Sequence, residues 1–449
     1  MSSQKNITVV GAGLVGSLVS IYLAKRGYKV DVYERRPDMR KADYIAGRSI
    51  NLALSDRGWR GLEGVGIADE IKKIAIPMYG RDIHMKDGSS TYQAYGKDNQ
   101  AIYSVSRGGI NMRLMDLAEQ QPNVTLHFEE RCDKLDRKSN ELSFYNTNTN
   151  KSTNIKSDII LGSDGAFSAV RTQMQFQSDR FDYQQFYIDA GYKELVIPAG
   201  PNGEYLIEKN CLHIWPRGSF MMIALPNMDG SFTCTLFFQM EGELSFDSIK
   251  TKEDVLTFFK EEFPDAVSLM PTLLEDWFTN PTSSLVTVKC KPWVWDEKIA
   301  LIGDACHAIV PFYGQGMNCG FEDCVVLNEL MNKYGDLNGP CLKEYETLRK
   351  PDGDAIADLA IANFIEMRDK TADKTFLLQK KIEAHFSAKH PEKWIPLYSM
   401  VTYSPNIRYS EALTAGNKQQ AIMDKIMLMP DVEANWDSAE VENAILNSL

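Results

Sequence analysis

No stretch of about 18 consecutive apolar residues occurs in the 449-residue sequence, so no transmembrane helix is predicted. The first six residues lack the charged-then-apolar pattern of a signal peptide, and the apolar run after them is short. The eight cysteines are scattered with no CxxC pair, which predicts reduced thiols and a cytoplasmic protein. Histidine is scarce, six in all. His307 has no second histidine at ligand spacing, so no metal site is predicted and a hydrogen-bonding place in its loop is expected. Basic residues are outnumbered, 49 to 61, for a net charge of −12. That balance excludes a general nucleic-acid or anionic-membrane binder while leaving room for a local basic pocket. There is no internal repeat, no low-complexity tract and no nucleophilic Ser or Cys triad.

What remains is ordinary for a globular protein, 44% hydrophobic and 24% charged. The length predicts two or three domains.

The strongest local signal is ITVVGAGLVGSLVSIYLAKRGYKVDVYERR, residues 7–36. It reads as strand, glycine turn, helix, strand, in the length a βαβ unit needs. Gly11 permits the tight turn, Gly13 lets backbone approach a pyrophosphate, and Gly16 lets helix and strand pack closely. Leu14 and Val15 open the helix, whose N-terminus offers N–H groups to a phosphate. Glu34, followed by Arg35, stands where an acid accepts hydrogen bonds from a ribose diol. Dinucleotide binding is the expectation.

Farther along, residues 49–73 read as two short helices with a turn, and residues 76–95 alternate around a Lys86-Asp87-Gly88 hairpin turn. Strands are expected at 124–128, 142–145 and 158–162, with a polar loop over 146–154. From about 180 to 284, strand-like runs separated by Pro, Gly and Asn/Asp predict an inserted antiparallel sheet. A buried strand returns at 298–303, a helix is expected from about Gly320, and 345–390 reads as nearly continuous helix. The last sixty residues are helical and polar.

Two more clusters follow strands. One is Gly162-Ser163-Asp164-Gly165, running on to Arg171. The other is Gly303-Asp304-Ala305-Cys306-His307, continuing to Pro311-Phe312-Tyr313-Gly314-Gln315-Gly316-Met317-Asn318 and Asp323. Each puts a carboxylate just beyond a strand, where open α/β sheets bind ligands. Each taken alone also reads as a turn with a helix-capping aspartate.

With all three clusters in this order, the chain resembles the single-component FAD-dependent aromatic hydroxylases, the class A flavoproteins related to p-hydroxybenzoate hydroxylase. The resemblance covers residues 1 to about 365. It implies an α/β fold: a Rossmann-like FAD-binding domain (1–75, 97–178 and 285–370), an inserted, mostly antiparallel β-sheet substrate domain (76–96 and 179–284), and a C-terminal helical region (371–449). It implies that Gly11, Gly13, Gly16 and Glu34 contact the ADP moiety of FAD and that Arg107 reaches the pyrophosphate. Asp164 would lie by the pyrophosphate groove, linked to FAD and the nicotinamide cofactor. Asp304 would bond the ribityl or phosphate region, and Gly316, Met317 and Asn318 would present backbone to the isoalloxazine. NADPH and O2 are the implied co-substrates, with a flavin 4a-hydroperoxide as the hydroxylating species.

Within the family, the runs Gly80-Arg81-Asp82-Ile83-His84, Tyr95, and His213-Ile214-Trp215-Pro216-Arg217-Gly218 resemble the branch that hydroxylates L-kynurenine. An arginine and a tyrosine on neighbouring turns suit an amino-acid carboxylate, a planar fork plus a phenolic donor. The resemblance assigns Arg81 and Tyr95 to that carboxylate and Asn363 and Tyr398 to the rest of the amino-acid end. Phe312 and Tyr313 are expected to face the substrate ring. From residue chemistry alone, the favoured reading is a surface ion pair for Arg81 and a core-edge aromatic for Tyr95, since most arginines and tyrosines are structural. Eukaryotic members end in a hydrophobic anchor, whereas the stripe Ile422 to Met429 is too short to span a bilayer. A soluble, bacterial-type protein is expected, monomeric or homodimeric. The alternatives are a hydroxylase of another aromatic, such as a phenol or salicylate, and a non-catalytic FAD-binding sensor.

Overall fold

The computed structural model describes residues 5–41, 50–95, 100–369 and 373–449. The first strand (Asn6–Val10) lies in a six-stranded sheet. Its neighbours are Ile159–Gly162 on one side and Lys29–Tyr33 on the other. Val124–His127 extends the sheet at one edge, and Ile299–Leu301 followed by Val294–Trp295 at the other; every pairing but the last is parallel. A parallel sheet is apolar where its faces are covered: Ile7, Val9, Val30, Val32, Ile160 and Leu301 are almost wholly buried, while Lys29 and Asp31 take less covered positions toward the edge. The carboxyl ends of the three central strands carry the three glycine-aspartate loops, which therefore meet along one edge.

A second, seven-stranded sheet runs in the order Ser283–Lys291, Asp182–Ile197, Phe232–Gln239, Met221–Pro226, Cys211–Pro216, Gly80–His84, Ser90–Ala94. It is antiparallel except where Cys211–Pro216 runs parallel to Gly80–His84. The alternation of a strand sends Arg81 and Ile83 to one face and Asp82 and His84 to the other. One face packs on the helices Lys252–Glu262, Pro264–Val267 and Leu273–Thr279 through Trp215, Phe238, Phe258, Phe259, Phe263 and Trp277. The other face lines a large cavity.

The structure departs from expectation in five places. Asn51–Leu54, read within a helical segment, is a strand pairing with Ile102–Ser106. Glu130–Asp136 is a strand that charge hides in the sequence, and Ser152–Lys156, read as part of a loop, is a strand pairing with Glu141–Asn146. The helix expected from Gly320 begins at Gly316, one turn earlier. The continuous helix over 345–390 is two helices, Gly339–Asp369 and Lys374–Lys389. Among the described residues, no helix is long and apolar enough to cross a membrane.

Candidate active site

One cavity of about 1810 Å³ runs from the first glycine turn to the second sheet and the C-terminal helices. Single small-molecule sites occupy about 300–1,000 Å³, so this one accommodates more than one ligand.

Its floor is the βαβ turn. Gly11 sits at φ +102°, where a Cβ would come within 2.5 Å of the Ser163 carbonyl; at Gly16 a Cβ would lie 1.9 Å from the Gly11 carbonyl. Gly16 is thus a packing glycine and does not line the cavity. Gly13 does, and a Cβ there would meet nothing within 4 Å. Leu14 and Val15 line the cavity at the start of the helix Leu14–Lys25, whose first turn carries no acidic residue to offset the positive dipole end.

Glu34 is 6% exposed and borders the cavity beside Arg35. Its carboxylate accepts from the Ala12 N–H at 2.9 Å and from the Arg36 N–H and Nε at 3.0 and 2.8 Å. Burial works to raise its pKa, but Arg36 and the two N–H donors outweigh that and hold it below the ordinary value. An ionised carboxylate with lone pairs to spare is what a ribose diol requires.

Asp164 lines the cavity but spends both oxygens on its own helix. It accepts from Ser168 Oγ at 2.5 Å and from the Ala169 and Val170 N–H groups at 2.6 and 3.1 Å. Burial raises its pKa despite those bonds. The capping alternative therefore describes its side chain. Arg171, which sequence reasoning did not single out, ties the second loop to the third. It donates to the Ala305 carbonyl at 2.7 Å and the Ala166 carbonyl at 2.7 Å while 3% exposed.

Arg107 begins the helix Arg107–Glu119 and Asp304 begins the short helix Asp304–His307. Both line the cavity, and neither side chain has a protein partner among the described residues. Gly316 and Met317 also line it. Asn318 does not: it is fully buried and donates to the Ala53 and Gly314 carbonyls at 2.8 Å each while accepting from the Ser55 N–H at 2.9 Å. Its amide holds the loop shape from behind.

Behind the third loop lies a buried network with no motif of its own. Asp323 accepts from the Gly303 N–H at 3.0 Å, Arg349 Nε at 2.7 Å and His307 Nε2 at 2.6 Å. Burial opposes charge on both His307 and Asp323, yet each holds the other ionised: the His307 pKa lies well above its ordinary value and that of Asp323 below. His307 is a member of the loop's hydrogen-bond scaffold.

At the far end, Arg81, Tyr95, Tyr313, Tyr398, Phe312 and Asn363 all line the cavity. The Arg81 guanidinium has no carboxylate partner among the described residues and rests against the rings of Tyr95 and Tyr398. Burial works to lower its pKa, but the two phenol groups prevail and it stays cationic. The Tyr95 hydroxyl is buried without a well-formed hydrogen bond, and burial raises its pKa, so it is a neutral donor. Phe312 packs between Phe237 and Phe364 in tilted contacts, with ring centres 4.9 and 4.5 Å away. Asn363 donates to the Phe312 carbonyl at 2.7 Å.

An open glycine turn, an ionised ribose acceptor, and a free arginine and aspartate along one edge fit the ADP, pyrophosphate and ribityl parts of FAD. Fold and loops agree in class, that of the FAD-dependent aromatic monooxygenases. A family model described as FAD binding domain matches residues 4–360. Kynurenine 3-monooxygenase of Flavobacterium johnsoniae is 51% identical over 449 residues, all of both chains. The proteins of that name from Dictyostelium discoideum and Sus scrofa are 48% and 45% identical, over 94% of this chain and 93% and 88% of theirs. The chain belongs to the kynurenine 3-monooxygenase family. Solved structures share the fold. A 2-methyl-3-hydroxypyridine-5-carboxylic acid oxygenase superposes with TM-score 0.66 at 20% identity, over 84% of this chain and 96% of that one. PqsL of P. aeruginosa, solved with 2-aminobenzoylacetate, gives TM-score 0.66 at 16% identity, over 82% and 97%.

Proposed function

We propose that this protein hydroxylates L-kynurenine to 3-hydroxy-L-kynurenine, using bound FAD, NADPH as reductant and O2 as oxygen source. The observation that carries the substrate is Arg81: a cation with no anionic partner among the described residues, beside a buried tyrosine hydroxyl that makes no well-formed hydrogen bond to them. A carboxylate answers both, since unpaired buried polar groups are costly and charge-assisted bonds are strong.

In this reading Gly11, Gly13, Leu14, Val15, Gly16, Glu34 and Arg35 form the ADP site, directly or through the turn. Arg107, Asp164 and Asp304 serve the pyrophosphate and ribityl, and Gly316, Met317 and Asn318 shape the flavin loop. FAD, when bound, supplies the reduction and oxygen-activating chemistry. The chain's own tasks are positional. Arg81 and Tyr95 anchor the carboxylate while Asn363 and Tyr398 complete the amino-acid end. Phe312 and Tyr313 border the aromatic ring, orient the carbon beside its amino group and keep water away from it. We assign the substrate layer to residues 76–96 and 179–284, the FAD-binding layer to 1–75, 97–178 and 285–370, and the helical wall to 371–449. All eight cysteines are free and buried, which supports a cytoplasmic setting.

The test is anaerobic mixing of the yellow protein with NADPH, with and without L-kynurenine, following loss of flavin absorbance. Much faster bleaching with L-kynurenine is expected. Equal rates in both arms, with acceleration by a phenol or salicylate instead, would transfer the reading to that substrate.

A further inference from the structure

On the face of the second sheet turned away from the cavity, two imidazoles face each other. His84 Nε2 lies 2.9 Å from His213 Nδ1. Their sequence positions are 129 apart, and the parallel pairing that sets His213 opposite Asp82 brings them together. Both residues are buried, at 7% and 0% exposure.

The outer nitrogens are occupied. His84 Nδ1 lies 2.7 Å from Asp265 Oδ2, and His213 Nε2 lies 2.7 Å from the Glu208 carbonyl. Trp215 Nε1 also donates to Asp265, at 3.0 Å. An ionised carboxylate and a carbonyl can only accept, so both outer nitrogens carry protons. With the outer nitrogens protonated, the inner nitrogens, 2.9 Å apart, face each other across a position that a proton or a metal cation fills.

A third donor atom completes the group. Asp82 Oδ2 lies 3.8 Å from His84 Nε2 and 3.7 Å from His213 Nδ1. The point equidistant from the three atoms is about 2.0 Å from each, which matches zinc–nitrogen and zinc–oxygen bonds of about 2.0–2.2 Å. The outer contacts to Asp265 and Glu208 are the partners that metal-bound histidines use to fix tautomer and ring orientation. We propose that Asp82, His84 and His213 bind a divalent first-row cation of the Zn²⁺ class, with solvent completing the shell on the Asp82 side, where the carboxylate is 18% exposed.

Such an ion clamps Gly80–His84 to Cys211–Pro216 from behind. Arg81, on the cavity side of the same strand, is thereby fixed against the sheet. No spacing in the sequence announces the site, because its ligands come from two strands whose register is decided by the fold.

The FAD-loaded full-length protein, stripped with a chelator and desalted, is titrated with ZnCl2 and assayed for bound metal by mass spectrometry. One zinc per chain is expected, with a raised melting temperature. Asp82→Ala should weaken zinc binding at least tenfold and His84→Gln should abolish it. Asp82 is at the exposed edge, so its variant keeps a folded, FAD-containing comparison if His84→Gln does not fold. Substoichiometric zinc in the wild type would overturn the proposal and leave a shared proton between the rings. Stoichiometric zinc retained equally by Asp82→Ala would place the ion elsewhere and overturn it as well.

Discussion

The guanidinium carbon of Arg81 lies 5.0 Å from the ring centre of Tyr95 and 4.8 Å from that of Tyr398. The two rings are 10° from parallel, and Tyr313 stacks beyond Tyr398 at 5.8 Å. Aromatic faces attract a cation, and among the described residues no carboxylate takes up the guanidinium's fork. The arrangement holds the arginine still and keeps its fork available.

Arg81→Ala should therefore weaken L-kynurenine binding by about 10- to 100-fold, the worth of one to two charge-assisted bonds, while FAD content stays at one per chain. Equilibrium binding followed through the flavin spectrum checks both. Unchanged affinity would remove Arg81 from the carboxylate site.

Tyr95→Phe isolates the hydroxyl. The ring contact with Arg81 persists, and the group removed is a buried hydroxyl with no well-formed hydrogen bond among the described residues. Thermal stability should hold or rise slightly, whereas substrate affinity should fall by about 1 kcal/mol, roughly fivefold. A loss of stability with no change in affinity would make Tyr95 a structural residue.

Gly13 and Gly16, three positions apart, have different roles that alanine separates. Gly13 has φ −71°, which alanine adopts, and open space beside it. Gly13→Ala should leave the apoprotein as stable as before, or about 0.4–1 kcal/mol more so, and lower FAD affinity by crowding the pyrophosphate. Gly16→Ala should yield little folded protein, since its Cβ would strike the Gly11 carbonyl. Full FAD affinity in Gly13→Ala would show that the ligand does not approach there.

Glu34→Ala should cost FAD more than it costs the fold. The carboxylate's bonds to Ala12 and Arg36 shape the turn, and its remaining lone pairs are offered to the ribose. Retention of FAD through gel filtration is the measurement, and full retention would remove the ribose role.

The His307–Asp323 pair gives a pH prediction. The His307 pKa is raised above its ordinary 6.5, so its contribution is complete below about pH 6.5 and is lost as pH rises through the raised folded value. The Asp323 pKa is depressed below 3.8, so its contribution is complete above that value and is lost as pH falls through the depressed one. His307→Asn should destabilise by about 3–5 kcal/mol near pH 6, the cost of breaking a buried pair, and by less as the solution becomes alkaline. Chemical denaturation across pH 5–9 checks the sign. A difference that grows with pH would contradict the pair.

The sequence by itself determined the α/β class, the βαβ unit, the inserted sheet and the three loops. Each depends on local physics: the turn at Gly11, the close packing at Gly16, and alternation of period two in the strands. Charge defeated that reading at Glu130–Asp136, where only Cys132 and Leu135 turn inward and the exposed positions are charged. It also could not say which loop residues face a ligand and which face the protein. Asp164 turned to cap its helix and Asn318 turned to carbonyls of its own loop and of a strand, while Asp304 and Arg107 remained open to the cavity. The gathering of Arg81 with Tyr398, or of His84 with His213, was decided only by tertiary structure. These pairs join segments far apart in the chain, and what sets them in contact is sheet register and helix packing, which no local spacing encodes.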